Sequence, residues 1–217
     1  MTDASEAKAR IFVATPMYDG RVHHAYMMGV VQMAMEFPGE LILAKSASSY
    51  GPHNHDRLTQ LFMESNATHA LWVASDIAWA PADARQLFEA DRDFVTGLYG
   101  KRQGEGRPLA PERRDGKLLE LEYTGAGFML LKRRCIQRLC AAHPELSYEG
   151  IGGTAFALWS PRFSGQIYSG ERTFCQYWRA LGGQIWAHTS VVVQRHGETV
   201  YVPDGYAAPP GPEAQKP

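Results

Sequence analysis

Short apolar runs alternate with helical stretches over the first hundred residues, and this rhythm constrains the fold more than any other feature. Ile11–Thr15 (IFVAT) is an apolar run closed by Pro16, as expected of a buried strand. Residues 24–37 repeat apolar side chains at helical spacing, with Met27, Val30, Val31, Ala34 and Met35 read as one inward face. Leu41–Ala44 reads as a second strand, and residues 55–66 as a second helix with Leu58, Leu61 and Phe62 inward. Ala70–Ala74, Pro81–Ala90 and Phe94–Leu98 follow as strand, helix and strand, the proline suiting a first helical turn. Such repetition predicts an α/β domain with a mainly parallel sheet flanked by helices.

The rhythm then breaks. Residues 103–118 are polar, basic and glycine-containing, and read as a loop or flap. Leu118–Tyr123 and Gly127–Leu131 read as strands, and Lys132–Ala142 as a helix. Residues 148–170 hold five glycines and many aromatics, an irregular stretch long enough to serve function. A helix is expected over 171–181, stopped by Gly182-Gly183, with short strands at Ile185–Ala187 and Val191–Gln194. Residues 1–9 read as a flexible lead, 10–202 as one domain, and 203–217, with five of the 13 prolines, as a Pro/Gly-rich tail.

Composition narrows the function classes. Lys and Arg total 22 against 23 Asp and Glu, a formal charge of −1, which excludes a strongly basic nucleic-acid binder but leaves room for a local groove. No apolar run reaches the ~20 residues of a membrane span, and the polar start lacks a signal-peptide core. The three cysteines form no CxxC pair, so a reducing, cytoplasmic setting is expected.

Three segments carry chemistry. In Thr68–Trp79 an apolar strand delivers one carboxylate, Asp76, at its C-terminal end, where open α/β sheets bind ligands. In VVVQRHG a second strand ends at His196, and a neutral imidazole suits a divalent metal. The pair predicts a two-ligand site, completed by phosphate oxygens and water, for Mn²⁺ or Mg²⁺ holding a diphosphate. In SGERTFC, Glu171 opens a helix, either as a dipole-friendly residue or as a base for an acceptor hydroxyl. Other patterns fail. His53-Asn-His55-Asp56 lacks the continuation of a metallo-hydrolase motif, and Gly125-Ala-Gly127 has Leu130 where a dinucleotide loop needs glycine.

Together these segments resemble the small bacterial and phage glycosyltransferases of the GT-A fold, related to family 2 and to the Anp1-like mannosyltransferases. The resemblance runs over roughly residues 10–200. IFVATPMYDG is similar to the strand and loop that hold the nucleobase, and THALWVASDI to the strand ending in the DxD motif. FVTGLYGKR, TGAGFMLLKR, SGERTFCQYWRALGGQIW and VVVQRHG follow in the family's order. Two positions depart: Ala74 stands where the first DxD aspartate belongs, and Arg172 follows Glu171 where aspartate is usual.

The resemblance implies a Rossmann-like, mixed but mainly parallel sheet and a metal-dependent transfer from a nucleotide-diphosphate sugar. It places the nucleotide near Thr15, Pro16, Tyr18, Arg57, Ser75, Asp76, Tyr99 and Lys101, the metal on Asp76 and His196, and catalysis on Glu171. The acceptor could be a glycan, a protein or a modified DNA base, the last suggested by Lys101, Arg102, Arg107, Arg113 and Arg114 around the flap. The rivals are a non-catalytic nucleotide-binding scaffold and a nucleotidyltransferase, although the latter normally wants two or more close carboxylates.

Overall fold

The computed structural model describes residues 9–100 and 113–197. Its first half follows the expected rhythm: β1 (Arg10–Met17), α1 (His24–Glu36), β2 (Glu40–Ala47), α2 (Gly51–Glu64), β3 (His69–Val73), the short β4 (Ile77–Ala78), α3 (Pro81–Glu89) and β5 (Phe94–Leu98). Then come β6 (Arg113–Asp115), β7 (Leu118–Leu121), β8 (Phe128–Lys132), α4 (Arg133–Ala142), β9 (Ser147–Gly150), β10 (Gly153–Phe156), β11 (Arg162–Phe163) and β12 (Ile167–Tyr168). The described part ends with α5 (Gly170–Ala180), β13 (Ile185–Val192) and β14 (Gln194–Arg195).

Eight strands form one mixed sheet in the order β2-β1-β3-β8-β5-β13-β7-β6. β1 runs parallel to β2 and β3, and β13 parallel to β5. β8 lies antiparallel between β3 and β5, and β7 antiparallel between β13 and β6. All the sheet's strands except β8 and β7 therefore point one way. The C-terminal ends of β1, β3, β5 and β13 share an edge with the start of β8. Pro16 is tolerated inside β1 because it lies beyond Ala14, the last residue paired with β3.

Alternation along the strands builds two cores. Phe12, Ala70, Trp72 and Met129 face α2, α4 and α5, together with Leu158 and Trp159. Ile11, Val13, Leu71, Val73 and Leu130 face α1 and α3. Arg133 at the start of α4 ties the first core's helices together. Its guanidinium donates to the carbonyls of Phe62 (2.8 Å) and Ser65 (2.9 Å) at the end of α2 and to that of Ala67 (2.6 Å) just beyond it.

Several expectations shift on folding. The inward face of α1 is Tyr26, Gly29, Val30 and Met33, whereas Met27, Val31 and Met35 are exposed. The helix is apolar on nearly every side, so periodicity could not choose between faces. α2 begins at Gly51 because Pro52 fits its first turn. The stretch read as irregular over 148–170 holds two hairpins, β9–β10 and β11–β12. Ile185–Val192 is one strand with a register irregularity between Ala187 and Val192, so polar His188–Ser190 do not end it. Of the flap, Arg113–Asp115 is a charged edge strand on β7, a composition that discourages further pairing. Residues 103–112 and the tail lie outside the described residues. Among the described residues, no helix is long and apolar enough to cross a membrane.

Candidate functional site

The carboxyl edge of the sheet brings together the two segments singled out for metal chemistry. After β3 the Ala74 N–H donates to the Gly127 carbonyl (2.9 Å) and Ile77 N–H to Ala74 (3.0 Å), a tight turn that carries Ser75 and Asp76. β4 then pairs antiparallel with β14, Arg195 opposite Ile77, and the His196 N–H donates to the Asp76 carbonyl at 2.7 Å. A two-stranded ladder thus fixes Asp76 beside His196, 120 positions later in the chain.

The side chains around this junction are tightly placed. The buried Asp76 carboxylate has Oδ1 3.4 Å from Arg195 Nε, and the Arg195 guanidinium sits 4.9 Å above the Tyr99 ring. The His196 imidazole stacks on His23 with centroids 4.4 Å apart and planes at 19°, and His23 lies 4.2 Å from His24. His23 caps α1 and donates its N–H to the Ser75 carbonyl (2.8 Å). Burial lowers its pKa, and the neighbouring imidazoles of His196 and His24 lower it further against the opposing pull of Asp76.

These residues can be tested against a divalent cation. His196 Nε2 is buried with no hydrogen-bond partner among the described residues, which is how a neutral imidazole ligand is presented. A carboxylate and an imidazole are suitable donors for Mn²⁺ or Mg²⁺. Among the described residues no group of three or more His, Cys, Asp or Glu could hold a metal. The donor set therefore fits only a cation whose remaining ligands come from substrate and water. Ala74, partly buried against the α1–α3 core, supplies no second carboxylate.

Glu171 belongs to the adjoining part of the edge. Ser169 caps α5, its hydroxyl accepting from Arg172 N–H at 3.4 Å. Gly170 leaves no room for a side chain: a Cβ there would lie 2.0 Å from the Trp159 carbonyl oxygen. Trp159 is in turn held from three sides. Its N–H donates to Asp56 Oδ1 (3.1 Å), its Nε1–H to Thr59 (3.0 Å), and its ring stacks on Phe174 at 4.0 Å and 8°. Burial pushes the Asp56 carboxyl up to about 7, against the stabilising N–H groups of Trp159 and Leu158. The Glu171 charge acts on His55, Tyr99 and Cys175. It opposes the burial that lowers the His55 pKa, and it adds to the burial that pushes Tyr99 up to about 12. Tyr99 links the two halves of the site, since Arg195 rests on its ring and its hydroxyl accepts from Gly127 N–H at 2.9 Å. Gly125 and Gly127 make room for that tyrosine: a Cβ on Gly127 would meet the ring at 2.5 Å. The glycine pair serves packing at Tyr99.

Of the remaining candidates, Thr15, Pro16 and Tyr18 lie at the end of β1 on the same edge. Thr15 is buried and its hydroxyl is bonded to the Tyr26 hydroxyl. Pro16 lies within β1, and Tyr18 stands just beyond it at 75% exposure. Arg57 Nη1 donates to the Ile151 carbonyl (2.7 Å) and to Gln60 (2.8 Å), which ties it to the β9–β10 hairpin. There it lines a groove of about 380 Å³ with His53, Gln60, Tyr148 and Glu149. No contact among the described residues joins Arg57 to Asp76. Lys101, Arg102 and Arg107 lie outside the described residues. Arg113 faces Glu120 (3.4 Å) and the Trp186 ring (5.0 Å), and Arg114 is exposed on the β6 edge.

The sequence presents Asn54 and Asp56 only as part of a failed metallo-hydrolase pattern and gives Arg195 no role, while His23-His24 opens the first helix as expected. Asn54 donates to the carbonyls of Met17 and Ser48, both at 2.8 Å, and so fixes the loops after β1 and β2. A signal was present, because Asn54 falls four residues before Leu58 on the buried stripe of α2, where a polar side chain must have partners.

Comparison with known proteins supports the fold. No family model matches the chain, and no curated protein sequence does. The crystal structure of A197 from STIV superposes with a TM-score of 0.56 at 10% identity, covering 95% of this chain and all of that one. GalNAc-T7, solved with UDP, GalNAc and Mn²⁺, is matched at a TM-score of 0.47 and 11% identity, over 85% of this chain and 43% of that one. Residues 1–349 of S. aureus TarS give 0.40 and 11%, over 82% and 57%. At 10% identity the likeness to A197 is one of fold, and the last two are too faint to carry an argument. The mixed, mainly parallel sheet with helices on both faces is an α/β fold.

Proposed function

We propose that the chain is a metal-dependent glycosyltransferase that draws its sugar from a nucleotide-diphosphate sugar. One observation carries the reading: Asp76 and His196 meet at a strand-end junction closed by a 2.7 Å hydrogen bond, with His196 Nε2 buried and unpartnered among the described residues. The nucleotide lies along the edge formed by Thr15, Pro16, Tyr18, Ser75 and Tyr99; Arg57 and Lys101 are assigned to it by the resemblance alone. Asp76 and His196 hold Mn²⁺ or Mg²⁺ against the diphosphate. Such an ion, when bound, neutralises charge on the departing diphosphate. Arg195, beside Asp76, orients that carboxylate. Glu171 approaches the sugar from the α5 side. In an inverting transfer it takes the acceptor's hydroxyl proton as the oxygen attacks; in a retaining one it orients the acceptor.

Ala74 and the Arg195–Asp76 contact favour a second reading, a nucleotide-binding protein that keeps the fold without transfer. Calorimetry with a panel of uridine and guanosine diphosphate sugars, with and without Mn²⁺, tests both. The expected result is binding that requires Mn²⁺ and is lost in Asp76→Asn and in His196→Ala, each with an unchanged far-ultraviolet spectrum. Binding indifferent to EDTA would remove the metal from the site. Binding without turnover of any donor would select the second reading.

A further inference from the structure

His55 lies near the start of α2, the helix that leaves the carboxyl end of β2, and the reaction as derived above gives it no part. Its ring Nδ1–H donates to the Gly51 carbonyl at 2.9 Å. A carbonyl only accepts, so the proton sits on Nδ1 and the lone pair on Nε2. Nε2 has no partner among the described residues and is not sealed from solvent. Burial lowers the His55 pKa, against the opposing pull of the Gly51 carbonyl and the Glu171 charge, so the ring is neutral at neutral pH. His55 and Glu171 share one platform, Trp159. The His55 ring lies 4.7 Å from that of Trp159, and Thr59, one turn on along the same face of α2, accepts the indole N–H. On α5, Phe174 stacks on the same indole and Gly170 packs under the Trp159 carbonyl. Glu171 follows Gly170 and stands one turn before Phe174, on the same face of the helix.

We propose that His55 Nε2 and the Glu171 carboxylate together bind two neighbouring hydroxyls of the acceptor, which is therefore a saccharide. This rests on Glu171 being the acceptor-side group of the transfer proposed above. A carboxylate and an Nε2 lone pair both accept and neither donates. One hydroxyl carries one proton and cannot serve both. Two hydroxyls on adjacent carbons of a sugar ring can. In an inverting transfer the attacking hydroxyl gives its proton to Glu171 as its oxygen bonds to the anomeric carbon, and the bond from that carbon to the diphosphate breaks, its electron pair leaving with the diphosphate. The neighbouring hydroxyl meanwhile donates to Nε2 and fixes the acceptor's orientation. The hydroxyl of a serine or threonine side chain stands alone, so a protein acceptor leaves Nε2 without a donor.

Nitrogen-15 NMR of the histidine rings in the full chain tests this without turnover. The His55 signals, assigned by their loss in His55→Phe, should show a protonated Nδ1 and an unprotonated Nε2 at neutral pH. The probes are the methyl glycosides of glucose, galactose and mannose, added with and without UDP and Mg²⁺. At least one should move Nε2 in the direction of an accepted hydrogen bond, and a monodeoxy form of that glycoside should not. N-acetylserinamide should leave Nε2 unmoved. His55→Phe keeps a ring on Trp159, and saturation-transfer NMR should show it binding the glycoside roughly tenfold more weakly, with UDP affinity unchanged. A protonated Nε2, an Nε2 indifferent to all three glycosides, an equal response to N-acetylserinamide, or full glycoside affinity in His55→Phe each overturns the proposal. A glycoside that moves Nε2 in a chain that binds no nucleotide sugar would support the saccharide site and remove the transfer reading instead.

Discussion

A carboxylate does chemistry through its neighbours, and Asp76 and Glu171 have different ones. Asp76 is buried against Arg195 and next to an imidazole, surroundings that fix its position. Glu171 is only partly buried in the first turn of α5, open to an approaching acceptor. Glu171→Gln keeps the size and the helix and removes the proposed base. We expect it to bind nucleotide sugar with near wild-type affinity and to turn it over on the order of 100-fold more slowly. Single-turnover measurements with the donor identified by calorimetry would show the loss in the chemical step. Near-normal turnover would return Glu171 to the role of a helix-end residue. Tyr99 carries the opposite lesson. Its phenol, pushed up to about 12 chiefly by burial, stays protonated at physiological pH and serves as a wall between Arg195 and Gly127.

The position of α5 depends on one close approach. Because Gly170 lies under the Trp159 carbonyl, Gly170→Ala must move either the first turn of the helix or the Leu158–Trp159 segment. We expect that variant to cost on the order of 2 kcal/mol in urea unfolding and to slow turnover, since Glu171 is the next residue. Gly51→Ala, at a helix start with open space around it, should stay within about 0.5 kcal/mol of wild type. Equal stability of the two variants would show that the Trp159 contact does not hold α5. This contact also marks how much the sequence could tell. The strand–helix order up to Leu98 was legible because each core-facing strand carries a continuous apolar run. Asp76 and His196 were legible because each ends such a run. The joining of β4 to β14 was not, since two-residue strands have no periodicity to read. The same holds for Trp159: a buried tryptophan within an aromatic, glycine-rich stretch gives no sign of which helix will hold it. The facing of α1 was missed because its apolar residues surround the helix.

At the scale of the molecule, the two cores lie on opposite faces of one sheet, and the site edge is pinned to one of them by an acid that burial makes reluctant to ionise. Asp56 holds the Leu158–Trp159 backbone against α2, and its pKa stands at about 7 where an exposed aspartate has 3.8. The native chain therefore binds this proton more tightly than the unfolded chain does. Its contribution to stability is complete below about pH 4, falls as pH rises between about 4 and 7, and is gone above that. His69 works in the opposite sense: burial lowers it to about 4, so folding gains stability as pH rises from there towards 6.5. The sum of the two hides each, and a variant separates them. Asp56→Asn keeps an acceptor for the Trp159 N–H and never carries charge. At pH 3.5 it should match wild type closely. At pH 8 it should be more stable by on the order of 4 kcal/mol, as one pKa unit is worth about 1.4 kcal/mol. Urea unfolding of both proteins at the two pH values measures the difference directly. A variant that tracks wild type at both would mean that Asp56 ionises freely in the folded chain, and that its grip on Trp159 does not depend on pH.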